Sequence, residues 1–135
     1  MFEKLKGMFL TDFFAQKLGI EIAGIKDGFA KTVMTVDGSM INGVKVANGG
    51  VAFTLADYAL AIAANTQGDN VLLTSSVNMH YCAPAKLGDV LAAEASIDAR
   101  TGRNIFLKVV VRNQDERVIA VAQGVTAEIA KPKPI

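Results

Sequence analysis

The stretch that most constrains this chain is residues 48–68, NGGVAFTLADYALAIAANTQG, four helical turns carrying little besides apolar residues and alanine. Asn48 is a good helix N-cap, Ala and Leu are strong helix formers, and Gly68 offers a stop. A helix apolar on all sides belongs inside a fold. Alanines at 52, 56, 59, 61, 63 and 64 leave its surface smooth enough for a sheet to wrap closely around it. Asp57 breaks the pattern. A lone carboxylate there costs several kcal/mol unless it is paired, hydrated or used, so it is the first functional clue.

Before that stretch, Phe2, Leu5, Phe9 and Phe13 fall at helical spacing, with Thr11 as a local cap and Gly19 as a terminator. They predict one or two short amphipathic helices in an N-terminal segment, residues 1–19. Residues 20–25 read as a strand, Asp27-Gly28 as a hairpin turn, and 29–36 as the returning strand. Asp37-Gly38-Ser39 breaks it, and 40–47 form a loop. After Gly68 come four strand-like runs, roughly 70–82, 89–99, 103–112 and 117–129, separated by turn-forming residues. Short connections imply antiparallel neighbours. Residues 130–135, with Lys-Pro-Lys-Pro, cannot prolong a strand and are expected to form a flexible tail. The whole, 1–135, reads as one α+β domain: a curved antiparallel sheet wrapped around a long central helix, which is the hotdog arrangement.

Composition excludes several functions. The net charge of +1, without a basic stripe, argues against nucleic-acid binding. The longest apolar run, 51–64, is too short to cross a bilayer and contains Asp57, and no signal peptide is recognisable. One cysteine excludes an intrachain disulfide and fits a reducing, cytoplasmic setting. A hydrophobic fraction of 51% is high for 135 residues, so some apolar surface is expected to meet another copy of the chain.

Asn42-Gly43, Asn48-Gly49-Gly50, Leu55-Ala56-Asp57 and Tyr81-Cys82-Ala83-Pro84-Ala85-Lys86-Leu87-Gly88 together resemble hotdog-fold acyl-CoA thioesterases of the phenylacetate-degradation (PaaI-like) type, within the 4-hydroxybenzoyl-CoA thioesterase superfamily. The resemblance runs over about residues 20–129. In that family an Asn stands six positions before a His-Gly-Gly motif, and the catalytic Asp stands nine after the His. Asn42, Asn48 and Asp57 keep both spacings, and Thr74 matches a family Ser or Thr on the strand after the helix. The departure is Asn48, where the family has His. The resemblance implies hydrolysis of a small or medium acyl- or aryl-CoA, with no metal or prosthetic group and CoA present only as part of the substrate.

The chemistry of these residues agrees. Thioester hydrolysis needs donors for a developing oxyanion and a carboxylate that attacks or activates water. Gly50 falls in the first helical turn, where backbone N–H groups lack partners and the helix dipole favours negative charge. Glycine at 50 also lets a carbonyl approach the backbone closely; Asp57 is then base or nucleophile, Thr74 orients water, Asn42 or Asn48 assists Gly50, and Gly49 is a candidate substrate contact. Each has a plainer reading: Asp57 a satisfied buried carboxylate, Asn48 a cap, Asn42 a turn former, Thr74 a strand residue like Ser76 and Asn78. Lys86 and Arg103, with Arg100, either hold nucleotide phosphates at a tunnel mouth or are solvated turn charges. His80 and Cys82 share a strand face, but i and i+2 side chains point in parallel about 6.5–7 Å apart, which suits packing better than a nucleophilic pair. A non-catalytic acyl-CoA-binding protein and a hotdog hydratase or dehydratase are the competing functions.

Gly50 and Asp57 stand seven residues apart, about 10 Å along a helix axis. A carbonyl held at about 3 Å and attacked from about 3 Å spans much less. Antiparallel helices across a two-fold axis would bring Gly50 of one copy opposite Asp57 of the other, so a homodimer with shared sites, and a dimer of dimers, are expected.

Overall fold

The computed structural model describes residues 2–129, and the tail expected over 130–135 lies outside the described residues. In chain order come α1 (Phe2–Leu10), α2 (Phe13–Lys17), β1 (Glu21–Lys26), β2 (Phe29–Thr35), α3 (Gly49–Asn65), β3 (Leu72–Tyr81), β4 (Val90–Thr101), β5 (Asn104–Arg112) and β6 (Val118–Glu128). The strands form one sheet in the order β1-β2-β4-β5-β6-β3, every neighbouring pair antiparallel. Its inner face wraps α3. The hairpin expected at Asp27-Gly28 joins β1 to β2, with Gly28 at φ +71°, a backbone region that glycine occupies without penalty.

The inner rows obey the two-residue period of a strand. Ala30, Thr32 and Met34 of β2, Leu91, Ala93 and Ala95 of β4, and Ile105, Leu107, Val109 and Val111 of β5 are all buried against the helix. Leu55, Leu60 and Ile62 fill the space between, each stabilising the fold by about 1.5–3 kcal/mol relative to exposure. The alanines let the helix sit close. At Gly124 of β6 the approach leaves no room for a side chain: a Cβ would stand 2.1 Å from Leu60 Cδ1.

Four expectations are corrected. The helix ends at Asn65, before Gly68, because the buried Asn65 side chain donates to the carbonyls of Ala61 and Leu72 and accepts from the Leu72 N–H (2.9 Å). That carboxamide stitches the helix end to the start of β3. Asp12, not Thr11, caps α2 by accepting from the Ala15 N–H, while the Thr11 hydroxyl donates back to the Gly7 carbonyl. The N-terminal apolar stripe therefore stops at Phe9, and Phe13 is 71% exposed. Third, β3 and β4 are not neighbours despite their short link, since β3 pairs with β6. Residues 82–89 can reach about 26 Å extended, enough to pass two strand ends. They are held on the way by bonds from the Cys82 and Ala83 N–H groups to the Ile119 carbonyl, and by the Ala47 N–H bonded to the Ala85 carbonyl.

Finally, α3 is not enclosed on all sides. Phe53, Thr54, Asp57, Tyr58 and Ala61 form a stripe that is only half-buried, because one sheet covers part of a helix's circumference. The N-terminal helices close little of it, chiefly through Phe9 meeting Tyr58 edge-to-face with ring centroids 6.3 Å apart. Asp57 lies in that stripe. No helix among the described residues is long and apolar enough to cross a membrane.

Candidate active site

Asp57 projects from the third turn of α3 toward the edge strand β3, where the Thr74 hydroxyl donates to Oδ1 at 2.9 Å. A β-bulge between Thr74 and Ser76 makes this possible. Thr74 faces the helix opposite Thr126, the chain advances by one extra residue, and Val77, Met79 and Tyr81 then form the inner row opposite Gly124, Ala122 and Ala120. Ser76 and Asn78, which straight alternation puts beside Thr74, go to the outer face. Half-burial raises the Asp57 pKa above the ordinary carboxylate range; the Thr74 bond opposes that shift, and the charge of Asp12 adds to it.

Asn48 caps α3, its Oδ1 accepting from the Gly50 N–H at 2.8 Å, while its own N–H donates to the Met40 carbonyl. The cap orients the carboxamide so that its NH₂ remains to donate elsewhere. The Gly50 N–H is thus already engaged by the neighbouring side chain, and its carbonyl accepts from the Thr54 hydroxyl at 2.8 Å. Gly49 is packed beneath Tyr81, whose hydroxyl donates to the Gly49 carbonyl at 2.8 Å. Asn42 organises the preceding loop: its Oδ1 accepts from the N–H groups of Val44 (3.0 Å) and Val46 (3.2 Å). Lys45 is at φ 66° in that tight loop, a costly conformation for a non-glycine residue.

Two cavities flank the helix N-terminus. One, of about 320 Å³, lies toward the residues after β3 and is lined by Asn48, Gly49, Ala52, Tyr81, Cys82 and Pro84 among others. The other, of about 340 Å³, opens toward α2 and is lined by Asn48, Gly50 and Thr54 together with apolar Phe14, Leu18 and Met40. Asp57 lines neither. Within one chain the helix terminus and the carboxylate are separate stations.

The two basic residues also separate. Lys86 is exposed just past the first cavity wall, in a turn whose N–H is held by the Asp89 carboxylate at 2.9 Å. Arg103 is exposed in the β4–β5 turn, its carbonyl accepting from the Glu128 N–H, beside the Arg100–Glu128 ion pair. That turn is at the other end of α3, whose 17 residues extend about 25 Å. In a single chain Lys86 and Arg103 do not face one mouth. His80 and Cys82 are likewise divided: His80 lines a cavity on the outer face with Lys108 and Val121, whereas Cys82 lies beyond β3 and its thiol donates to the His80 backbone carbonyl.

Sequence reasoning missed Asp12 and Tyr81. Asp12 gives no local sign of approaching Asp57, forty-five positions away; Tyr81 was legible only with the bulge, which sets the face it takes.

Residues 45–120 match the family model of the thioesterase superfamily. The chain belongs to that superfamily. It is 33% identical over 117 residues to the acyl-coenzyme A thioesterase PaaI of Escherichia coli (strain K12), covering 87% of this chain and 83% of that protein. The solved structure of the E. coli PaaI protein from the phenylacetic acid degradation operon has TM-score 0.92 at 31% identity, over 96% of this chain and 94% of that one. A point mutant of the phenylacetic acid degradation protein PaaI from Thermus thermophilus gives 0.83 at 26% identity, over 87% of this chain and all of that one (100%). The thioesterase-superfamily fold is the hotdog arrangement that the order of elements predicts.

Proposed function

We propose that this protein hydrolyses the thioester of a small or medium acyl- or aryl-CoA to the free acid and CoA. The observation that carries this reading is the half-buried Asp57 carboxylate, hydrogen-bonded by Thr74 on an otherwise apolar helix, in a chain similar to an acyl-CoA thioesterase over most of its length. Asp57 either takes a proton from a water that Thr74 orients, the water oxygen adding to the carbonyl carbon, or attacks that carbon itself to form a mixed anhydride that a water then hydrolyses to the free acid, restoring the carboxylate. In both routes the C–S bond breaks and the CoA thiolate takes up the proton that the water gives up, leaving as the thiol. The carbonyl oxygen is held at the N-terminus of α3, where the dipole favours the negative charge developing on it. There it competes with Asn48 Oδ1 for the Gly50 N–H, and an Asn48 carboxamide turned out of its cap donates from its NH₂ to the same oxygen. Asn42 assists by keeping the preceding loop in shape, and Gly49 lets the substrate approach. The apolar cavity toward α2 takes the acyl group. CoA enters only as part of the substrate, and no metal is needed.

The site is shared between two subunits of a homodimer, because Gly50 and Asp57 of one helix stand about 10 Å apart. Several features support association. The half-buried stripe around Asp57 leaves Phe53 and Ala61 incompletely covered. β3 is a ten-residue edge strand without Lys, Arg, Asp, Glu or Pro, an unguarded template for pairing. Phe106 and Val121 on the outer face of the sheet offer a second contact, for a dimer of dimers. In such a dimer Lys86 of one subunit and Arg103 of the other approach the same phosphates. The exposed Cys82 suits a cytoplasmic setting.

A non-catalytic acyl-CoA-binding role is the second reading, favoured by the capped Gly50 N–H and by Asn48 in place of His. An acyl-CoA hydrolysis panel covering aryl, short and medium acyl groups decides between them. Turnover of at least one class, with release of free CoA thiol, is expected; saturable binding without turnover would establish the second reading.

A further inference from the structure

Tyr81 belongs to no part of the mechanism above, yet it touches the helix N-terminus. It is the last residue of β3, half exposed, and after the bulge between Thr74 and Ser76 it falls on the same inner row as Val77 and Met79. Its hydroxyl donates to the Gly49 carbonyl at 2.8 Å. A Cβ on Gly49 would stand 3.1 Å from Oη, 3.2 Å from Cζ and 3.4 Å from Cε1, so the ring occupies the space that any other residue at 49 would need.

The Gly49 carbonyl and the Gly50 N–H belong to one planar trans peptide unit. That plane is gripped at both ends, by Tyr81 at the oxygen and by Asn48 Oδ1 at the nitrogen. The plane joins two glycines, which carry no side chain to fix it, and as part of α3 its carbonyl also faces the Phe53 N–H one turn on. When a thioester oxygen displaces Asn48 Oδ1, the nitrogen-side grip is lost, and Tyr81 adds to the helical bond in holding the oxygen side. A bond to the carbonyl also polarises the amide and strengthens its N–H as a donor.

We infer that Tyr81 is a positioning residue for the proposed hydrolysis: by holding the Gly49 carbonyl it fixes the direction of the Gly50 N–H toward the thioester oxygen. The inference rests on the thioesterase reading for its catalytic part, and its geometric part is separately testable. β3 thus supports both stations of the site, Asp57 through Thr74 and the Gly50 donor through Tyr81.

The test is Tyr81→Phe, which keeps the ring and removes only the hydroxyl. Two readouts are taken on the full chain: steady-state hydrolysis of the best substrate in the panel, and amide hydrogen exchange at Gly50 followed by NMR. Loss of this bond should speed Gly50 exchange about 2- to 10-fold, with the amides of residues 57–61 unchanged. It should lower kcat by a similar factor at unchanged KM, and leave the pH midpoint of activity where Asp57 sets it. Wild-type kcat in Tyr81→Phe would overturn the inference, as would a raised KM at unchanged kcat, the mark of a direct substrate contact. A drop in Tm with normal kcat for the folded fraction would reduce Tyr81 to a structural clip and also overturn it. If wild-type protein turns over no acyl-CoA, the thioesterase reading fails on its own; Gly50 exchange then decides the geometric part, and exchange unaltered in Tyr81→Phe overturns it.

Discussion

Half-burial holds the Asp57 carboxyl above its ordinary range, with Asp12 adding to the shift and Thr74 opposing it. A base or nucleophile must be ionised, so activity should rise with pH through a midpoint above that of a solvated aspartate. Asp12→Asn keeps the cap on α2, since Asn caps as well as Asp, and removes one negative charge; the midpoint should fall. Thr74→Val deletes a donor to the carboxylate, and the midpoint should rise. A pH–rate profile that neither substitution moves would separate Asp57 from catalysis. Stability runs the other way. A carboxyl whose folded-state pKa is raised is tolerated below its unfolded pKa and becomes destabilising as pH rises through the folded value. Asp57→Asn should therefore melt above wild type near neutral pH, the difference shrinking as the pH is lowered. Asn48 separates in the same fashion. Asn48→Ala should cost about 0.5–2 kcal/mol as a lost cap, measured by denaturant unfolding, whereas Asn48→Asp keeps the cap and replaces the donating NH₂ by a carboxylate. The Asp variant should stay stable and lose activity; equal activity in both would leave Asn48 as a cap alone.

Among the elements, Gly124 and Leu60 set how closely helix and sheet approach. Leu60 is completely buried, so its side chain cannot simply swing aside for a methyl 2.1 Å from Cδ1. Gly124→Ala should cost about 1–3 kcal/mol in urea unfolding, and Leu60→Ala in the same chain should recover part of it, a non-additive pair. This contact was not legible in the sequence, where Gly124 sits unremarked inside a strand run. The central helix, the Asp27-Gly28 hairpin and the four later strands were legible because local signals alone specify them: apolar period, turn residues and caps. The placement of β3 was not, because strand partners depend on how far a link reaches rather than on its composition. The same holds for the site. Asp57 stood out as a carboxylate in an apolar helix, and Asn48 as a cap. The Thr74 contact needed a one-residue bulge, and the separation of Lys86 from Arg103 needed the whole sheet order.

For the whole molecule, the proposal of a shared site rests on the roughly 10 Å between Gly50 and Asp57 along one helix. Mixing Asp57→Asn with a bulky variant, Gly50→Val, should therefore restore what each lacks. With free exchange at equal amounts, about half the dimers are mixed, each with one intact site of two, so activity should return to about a quarter of wild type. No recovery despite demonstrated exchange would confine each site to one subunit. Hydrolysis itself is tested most directly by the rate of free CoA thiol release from aryl, short and medium acyl-CoAs, with wild-type and Asp57→Asn proteins prepared side by side. Wild type should turn over at least one of them, and folded Asp57→Asn should lose at least about 100-fold in kcat on that substrate. Near-normal turnover by folded Asp57→Asn, or none by wild type on any of the three classes, would contradict the account.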